Sequence, residues 1–162
     1  MEAANEREHT LDPRVRWRWA MRGIGPVLAI AAVATAAVWV ARVPVPPAIM
    51  TAGLLVGGGG LVWALVRLRY RRWRYRLDPD GLTLTHGVLT HVRTVVPYTR
   101  IQHVDTRRGP LDRLLGLGAV VVYTAGTRGA DVTIPGLSTR EAGVMQERLR
   151  DASERTAGED AV

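Results

Sequence analysis

The sequence predicts an α+β membrane protein: a two-helix transmembrane hairpin, then a small antiparallel β-barrel or orthogonal sandwich capped by a C-terminal helix. Three observations predict it. Two uncharged runs, Gly23–Ala41 and Ala48–Val66, are joined by a proline-rich turn. Beyond them the apolar pattern becomes alternating, in about six short stretches punctuated by Gly, Pro and Asp. A capping box and an apolar repeat of helical spacing follow the last stretch.

Composition bounds the function classes. Of 162 residues, 22 are basic, all of them arginine, and the net charge is +7. The absence of lysine and phenylalanine reads as GC-rich codon bias, so arginine-for-lysine choice carries little chemistry. The charge itself suits an anionic partner, lipid headgroups or nucleic acid. With no cysteine there is no disulfide, thiolate nucleophile or zinc–thiolate site.

Residues 1–13 are polar and mixed in charge, and are expected to be a disordered tail with His9 solvated. Residues 14–69 form the hairpin. Arg14 to Arg22 is basic, with Trp17 and Trp19 where an interfacial aromatic belt would lie. A signal peptide opens similarly, but here the apolar run is longer and a second one follows. Gly23–Ala41 would span roughly 28 Å as a helix, close to the hydrocarbon thickness. Pro26 is expected in the first turn, where its missing N–H costs little. Arg42-Val-Pro-Val-Pro-Pro stops the helix, and Ala48–Val66 forms the second span. A buried soluble helix is the alternative for either run alone; two joined by a proline turn favour a membrane hairpin. Gly57–Gly60 lacks the continuation of a phosphate loop. In lipid, glycines instead permit close helix approach, and Gly53, Gly57 and Gly60 are expected to pack against the alanine-rich first helix. Arginines concentrate outside the hairpin and only Arg42 lies in the turn, which puts both termini in the cytoplasm.

Arg67–Arg76, RLRYRRWRYR, is the joint between the two parts. Arg67, Arg69 and Arg71 take odd positions, then Arg72, Arg74 and Arg76 take even ones. The first half reads as the cytoplasmic end of a helix. The second half is a strand with Trp73, Tyr75 and Leu77 inward, leaving almost no linker. Arginine mixed with aromatic residues also suits nucleic acid. Directly beside a span, however, these six arginines already serve as topogenic charge and anionic-lipid contacts, at about 1 kcal/mol each near the surface.

The domain is expected over residues 70–153. Asp78-Pro79-Asp80-Gly81 is a turn, Leu82–His86 a second strand, Val88–Val96 a third ended by Pro97, and Ile101–Thr106 a fourth. Pro110 and Gly116 bracket a short helix. Ala119–Thr124 is a fifth strand, Gly126–Gly129 a hairpin loop, and Ala130–Ile134 a sixth strand ended by Pro135-Gly136. Ser138 and Glu141 form the capping box, and Ala142, Met145 and Leu149 line the apolar face of a helix ending near Ala152. Residues 154–162 are expected to be a disordered tail.

The segments WRYRL…DGL…GVL and VPYTRIQHVDTRRGPLDRLLGLG carry a resemblance. They resemble the bacterial pleckstrin-homology (PH) domain of the second type, as found in YdbS-like membrane proteins, where a two-helix hairpin precedes the domain. The resemblance covers residues 14 to about 152. It implies a PH-like fold with a seven-stranded curved sheet closed by a helix, in a multi-pass protein of the bacterial inner (cytoplasmic) membrane. It brings no catalytic residues, and the inositide ligand of eukaryotic PH domains is not carried over.

Candidate sites follow. His103 and Asp105 share a strand face, but a metal or acid–base site needs ligands that nothing here supplies. Tyr98, Arg100, His103, Asp105, Arg107, Arg108 and Arg113 form a candidate interaction surface, the alternative being ion pairs within the fold to Asp105 and Asp112. No catalytic constellation, cofactor or metal is expected, and nucleic acid is not an expected partner. The leading expectation is a non-enzymatic interaction or assembly module at the cytoplasmic membrane face. Its expected partners are membrane lipids and either a second copy (a homo-oligomer) or a sister PH-like membrane protein. The alternatives are an anionic-lipid-binding module and an accessory subunit of an envelope enzyme or transporter.

Overall fold

The computed structural model describes residues 8–42, 44, 46–126 and 131–159. The chain forms two compact units, one built on residues 16–68, the other on the segment up to Val15 together with the chain from Arg69 onward.

The first unit is a helical hairpin. Helix α1 (Val15–Val40) and helix α2 (Pro47–Arg72) each hold 26 residues. Both outrun the uncharged spans, because nothing between Val15 and Gly23, or between Val66 and Arg72, breaks a helix. Pro26 therefore lies inside α1 rather than in its first turn. It removes one backbone bond, a loss that membrane helices absorb by local adjustment. The helices run antiparallel: a Cβ on Gly23 would meet Val62, a Cβ on Gly58 would meet Val27, and the Thr35 and Thr51 hydroxyls touch at 2.5 Å. Thr35 and Thr51 also lie within reach of the Ala31 and Pro47 carbonyls. Each hydroxyl has one proton, so the one that bridges the helices gives up its own helix carbonyl. Leu28, Ile30, Val33, Trp39, Val56 and Leu61 face outward. A pair of water-soluble helices would bury such residues; two helices long and apolar enough to cross a membrane present them to lipid.

The second unit is a two-sheet domain. Strands β1 (Arg74–Asp78), β2 (Gly81–His86) and β3 (Val92–Pro97) form one antiparallel sheet in that order. Strands β4 (Ile101–Arg107), β5 (Leu117–Thr124) and β6 (Val132–Ser138) form the other. A short 3₁₀ turn, Tyr98–Arg100, joins the sheets, and helix α3 (Pro110–Leu115) links β4 to β5. Helix α4 (Thr139–Glu159) packs on β4, β5 and β6. The described residues hold six strands, against the seven of the resemblance. The core is Leu82, Leu84, Leu117, Val120, Val122, Ile134, Leu137 and Leu149, all fully buried.

Most elements follow from their residues as expected. Trp73, Tyr75 and Leu77 are buried on alternate positions. Gly116 ends α3 in the left-handed conformation. The Ser138–Glu141 box closes in both directions, at 3.2 and 2.9 Å, and Ala142, Met145 and Leu149 are buried. Four elements differ. The third strand starts at Val92, not Val88, because Gly87 (φ 118°) turns the chain there. Pro135-Gly136 does not end β6; β6 continues to Ser138 around a bulge, where Gly136 has φ 66° and one residue is added relative to β5. The C-terminal helix continues through residues 154–159, expected as a disordered tail, with Arg150 and Glu154 paired at 2.8 Å one turn apart. The expected loop Gly126–Gly129 falls largely outside the described residues.

The fourth difference is the largest. Residues 8–13, expected in a disordered tail with His9 solvated, lie on the domain. His9 and Tyr75 exchange backbone hydrogen bonds of 2.8 and 3.0 Å, adding a short rung to the free edge of β1. The His9 ring stacks on Tyr75, the Tyr70 hydroxyl donates to the Leu11 carbonyl, and Leu11 is buried. The Asp12 amide donates to the Gly136 carbonyl.

Burial, then the nearby Glu141 carboxylate, pushes the Tyr75 phenol from 10.0 up to about 12. The folded state thus holds the phenolic proton more tightly than the unfolded chain does. The associated stability is complete below pH 10 and is lost as pH rises toward 12, by at most about 2–3 kcal/mol. Urea midpoints measured from pH 9 to 12 should fall over that window, and Tyr75→Phe should remove a large share of the fall.

Candidate functional site

Two polar faces of the domain carry the candidate residues. The first is the outer face of the β4–β5–β6 sheet. On β4, His103, Asp105 and Arg107 recur every second residue and so project together. The register sets Tyr123 of β5 opposite His103. His103 Nε2 lies 3.2 Å from Asp105, the His103 and Tyr123 rings are 4.6 Å apart, and the Arg107 guanidinium donates to the Tyr123 hydroxyl. The group is half-exposed, and its members are one another's partners. Tyr123 was not legible as a member, because only the register reveals it.

The other members of that expected surface scatter. Tyr98 is buried, and its hydroxyl donates to the Asp78 carbonyl at 2.9 Å. Burial, with Asp78 and Asp80 nearby, raises its pKa. It pins the 3₁₀ turn to the β1–β2 turn and leaves the interaction surface. Arg108 donates to the Leu117 carbonyl at 3.3 Å, a bond within the fold. Asp112 is buried and accepts from the Gly109 amide at the start of α3. Asp105 pairs with His103, not with an arginine. Arg100 and Arg113 are exposed.

The second face is the outside of the β1–β2–β3 sheet. The arginine joint divides there. Arg67, Arg69 and Arg71 belong to the last turns of α2, and so does Arg72, which was expected to open the first strand: the helix runs one residue past the change of phase, and Trp73 alone separates α2 from β1. Arg74 and Arg76 project from β1, opposite their buried neighbours Tyr75 and Leu77. Arg76 pairs with Asp78 at 2.5 Å, and Arg74 lies 3.9 Å from Glu8. Arg93, Thr85 and His91 line the same concavity of about 350 Å³. The alternation of His91, just before the third strand, with Arg93 inside it was the available signal for them.

In the hairpin, the structure redistributes the glycine roles. Gly23 and Gly58 face the opposite helix; Gly53, Gly57 and Gly60 do not, and a Cβ on any of them would meet nothing within 4 Å. The helical period explains this. Positions 53, 57 and 60 share one side of α2, and position 58 lies more than a quarter-turn away.

Among the described residues, no three His, Cys, Asp or Glu side chains converge as metal ligands. The family model of the bacterial PH domain matches residues 23–153. The chain belongs to the bacterial PH domain family. It is also similar to the transmembrane protein YdbS of Bacillus subtilis (strain 168), at 35% identity over 103 residues. That match takes in 64% of this chain, which spans 60% of the relative's length. No solved structure matches the chain. The protein is thus a membrane protein that joins two candidate spanning helices to a bacterial PH domain, and nothing in its family or relative indicates catalysis.

Proposed function

We propose that this bacterial PH domain protein is a non-enzymatic assembly module of the inner membrane, with both termini cytoplasmic and a second copy of itself as partner. The observation that carries the reading is the side of α2 holding Gly53, Gly57 and Gly60, which α1 leaves uncovered. In lipid, small residues at this spacing let a second helix approach closely enough for backbone packing. Orientation rests on the arginines at both outer ends of the hairpin against Arg42 in its turn.

Crosslinking in cells tests the assembly. A dimer-sized product is expected from the wild type, reduced by Gly57→Leu and retained in Gly53→Ala. Gly58→Leu should instead disturb the hairpin, since its side chain would collide with Val27. A chain that stays monomeric in crosslinking and in detergent overturns the reading.

A further inference from the structure

Strand register brings together a group of donors that linear order keeps apart. Arg74 on β1 is opposite Thr85 on β2, and Thr85 is opposite Arg93 on β3. All three residues take the outward phase, so a threonine stands between two arginines in one row across the sheet. Adjacent strands are about 4.8 Å apart, which sets the two arginine backbones about 10 Å from each other. That spacing lets both long side chains converge on one group held above the threonine.

The row lines the concavity of about 350 Å³ on this face, together with His91 and Arg76. Among the described residues its charge is unbalanced. Arg76 is neutralised by Asp78 at 2.5 Å. Arg74 donates from Nη1 to the Trp73 carbonyl at 2.9 Å, a neutral acceptor, and its one charged partner among the described residues is the loose, mostly exposed Glu8 carboxylate at 3.9 Å. Arg93 has no ion pair, and the Thr85 hydroxyl no partner, among the described residues. A fork of N–H donors on either side of an O–H donor matches the oxygens of a tetrahedral oxyanion. Glu8 is a carboxylate of this chain already drawn to the edge of the same row.

We propose that Arg74, Thr85 and Arg93 form a binding site for a phosphate monoester group, with Glu8 as a weak internal competitor. The site does not depend on the assembly reading, since it lies on one domain and uses none of the hairpin glycines. A phosphate monoester can be the headgroup of phosphatidic acid or a free phosphate, and the chemistry recognised is the same.

The test titrates the full-length protein in zwitterionic detergent with inorganic phosphate, with dihexanoyl phosphatidic acid and with dihexanoyl phosphatidylcholine, by calorimetry. Saturable binding of phosphatidic acid with little response to phosphate assigns a headgroup site. Equal binding of both assigns a free-phosphate site. Binding of neither, or binding of phosphatidylcholine equally well, overturns the proposal. Arg93→Ala and Thr85→Ala should each weaken binding by about tenfold, and Glu8→Gln should strengthen it by about two- to threefold. Thr85→Ser keeps the hydroxyl and should bind as the wild type does, which separates loss of the donor from loss of the fold. Arg100→Ala removes the same charge from an exposed position elsewhere on the domain. If it weakens binding as much as Arg93→Ala, the attraction is diffuse charge and the site is refuted.

Discussion

Gly136→Ala is expected to destabilise the domain by about 2–5 kcal/mol, the larger end being enough to unfold many small domains. Two costs add. Gly136 has φ 66°, a conformation that costs a residue with a Cβ roughly 1–2 kcal/mol. The new Cβ would also collide with Val15 Cγ2 and stand 2.5 Å from Val15 Cβ. Val15 cannot step aside easily: it is fully buried, and its amide is held by the Asp12 carbonyl, whose own residue bonds to Gly136. Overpacking of that kind costs about 1–3 kcal/mol. Gly116→Ala supplies the control. Gly116 has nearly the same φ, 67°, but its Cβ would meet only the end of the Arg14 side chain at 3.4 Å. It should therefore show the conformational cost alone. Urea midpoints of the two variants in detergent isolate the contact with Val15. Equal losses would mean that Val15, the first residue of α1, does not press on the β6 bulge. A Val15→Ala, Gly136→Ala double variant should lose less than the sum of its singles, because the smaller side chain vacates the space.

The residues involved show what can be read from sequence and what cannot. Signals carried by neighbours in the chain were legible. The Trp73–Tyr75–Leu77 alternation, the Pro110–Gly116 bracket and the Ser138–Glu141 box need only local spacing, and each forms as expected. So was the family, because its motif runs continuously from Val96 to Gly118. Signals that depend on distant partners were not. Pro135-Gly136 reads as a strand end until β5 supplies a register in which one residue can bulge. Residues 8–13 read as a tail because their polarity hides Leu11, a single apolar residue whose burial depends on the domain it meets. Gly53 and Gly57 have the spacing of a packing pair, yet spacing cannot say which neighbour is present, and α1 chose Gly58. The anion row has the same character. Arg74, Thr85 and Arg93 are unremarkable in the chain and become a group only through two strand pairings.

Leu11→Ala should cost about 2–4 kcal/mol, as expected for a buried leucine truncated to alanine. Leu11 is 2% exposed, whereas Leu89 is fully exposed, so Leu89→Ala should change stability by less than about 0.5 kcal/mol. The loss at Leu11 should also be local before it is global. The polar ties of the segment include the His9–Tyr75 bonds, the Tyr70 hydroxyl on the Leu11 carbonyl, the Asp12–Gly136 bond and the loose Glu8–Arg74 pair. Removing the only large apolar side chain among them leaves hydrogen bonds that exchange readily with water. Hydrogen exchange can separate the stages. The Tyr75 amide, which donates to the His9 carbonyl at 3.0 Å, should lose protection first, while the Leu84 amide in the central strand β2 keeps its own until the domain unfolds. Release of the segment has two chemical consequences. It uncovers the β1 edge, whose free backbone groups invite strand pairing between molecules. It also carries Glu8 away from Arg74, so Leu11→Ala should mimic Glu8→Gln and strengthen phosphate binding while weakening the fold. Leu11→Ala that weakened both would show that the segment supports the anion row; opposite signs show that it competes with the ligand.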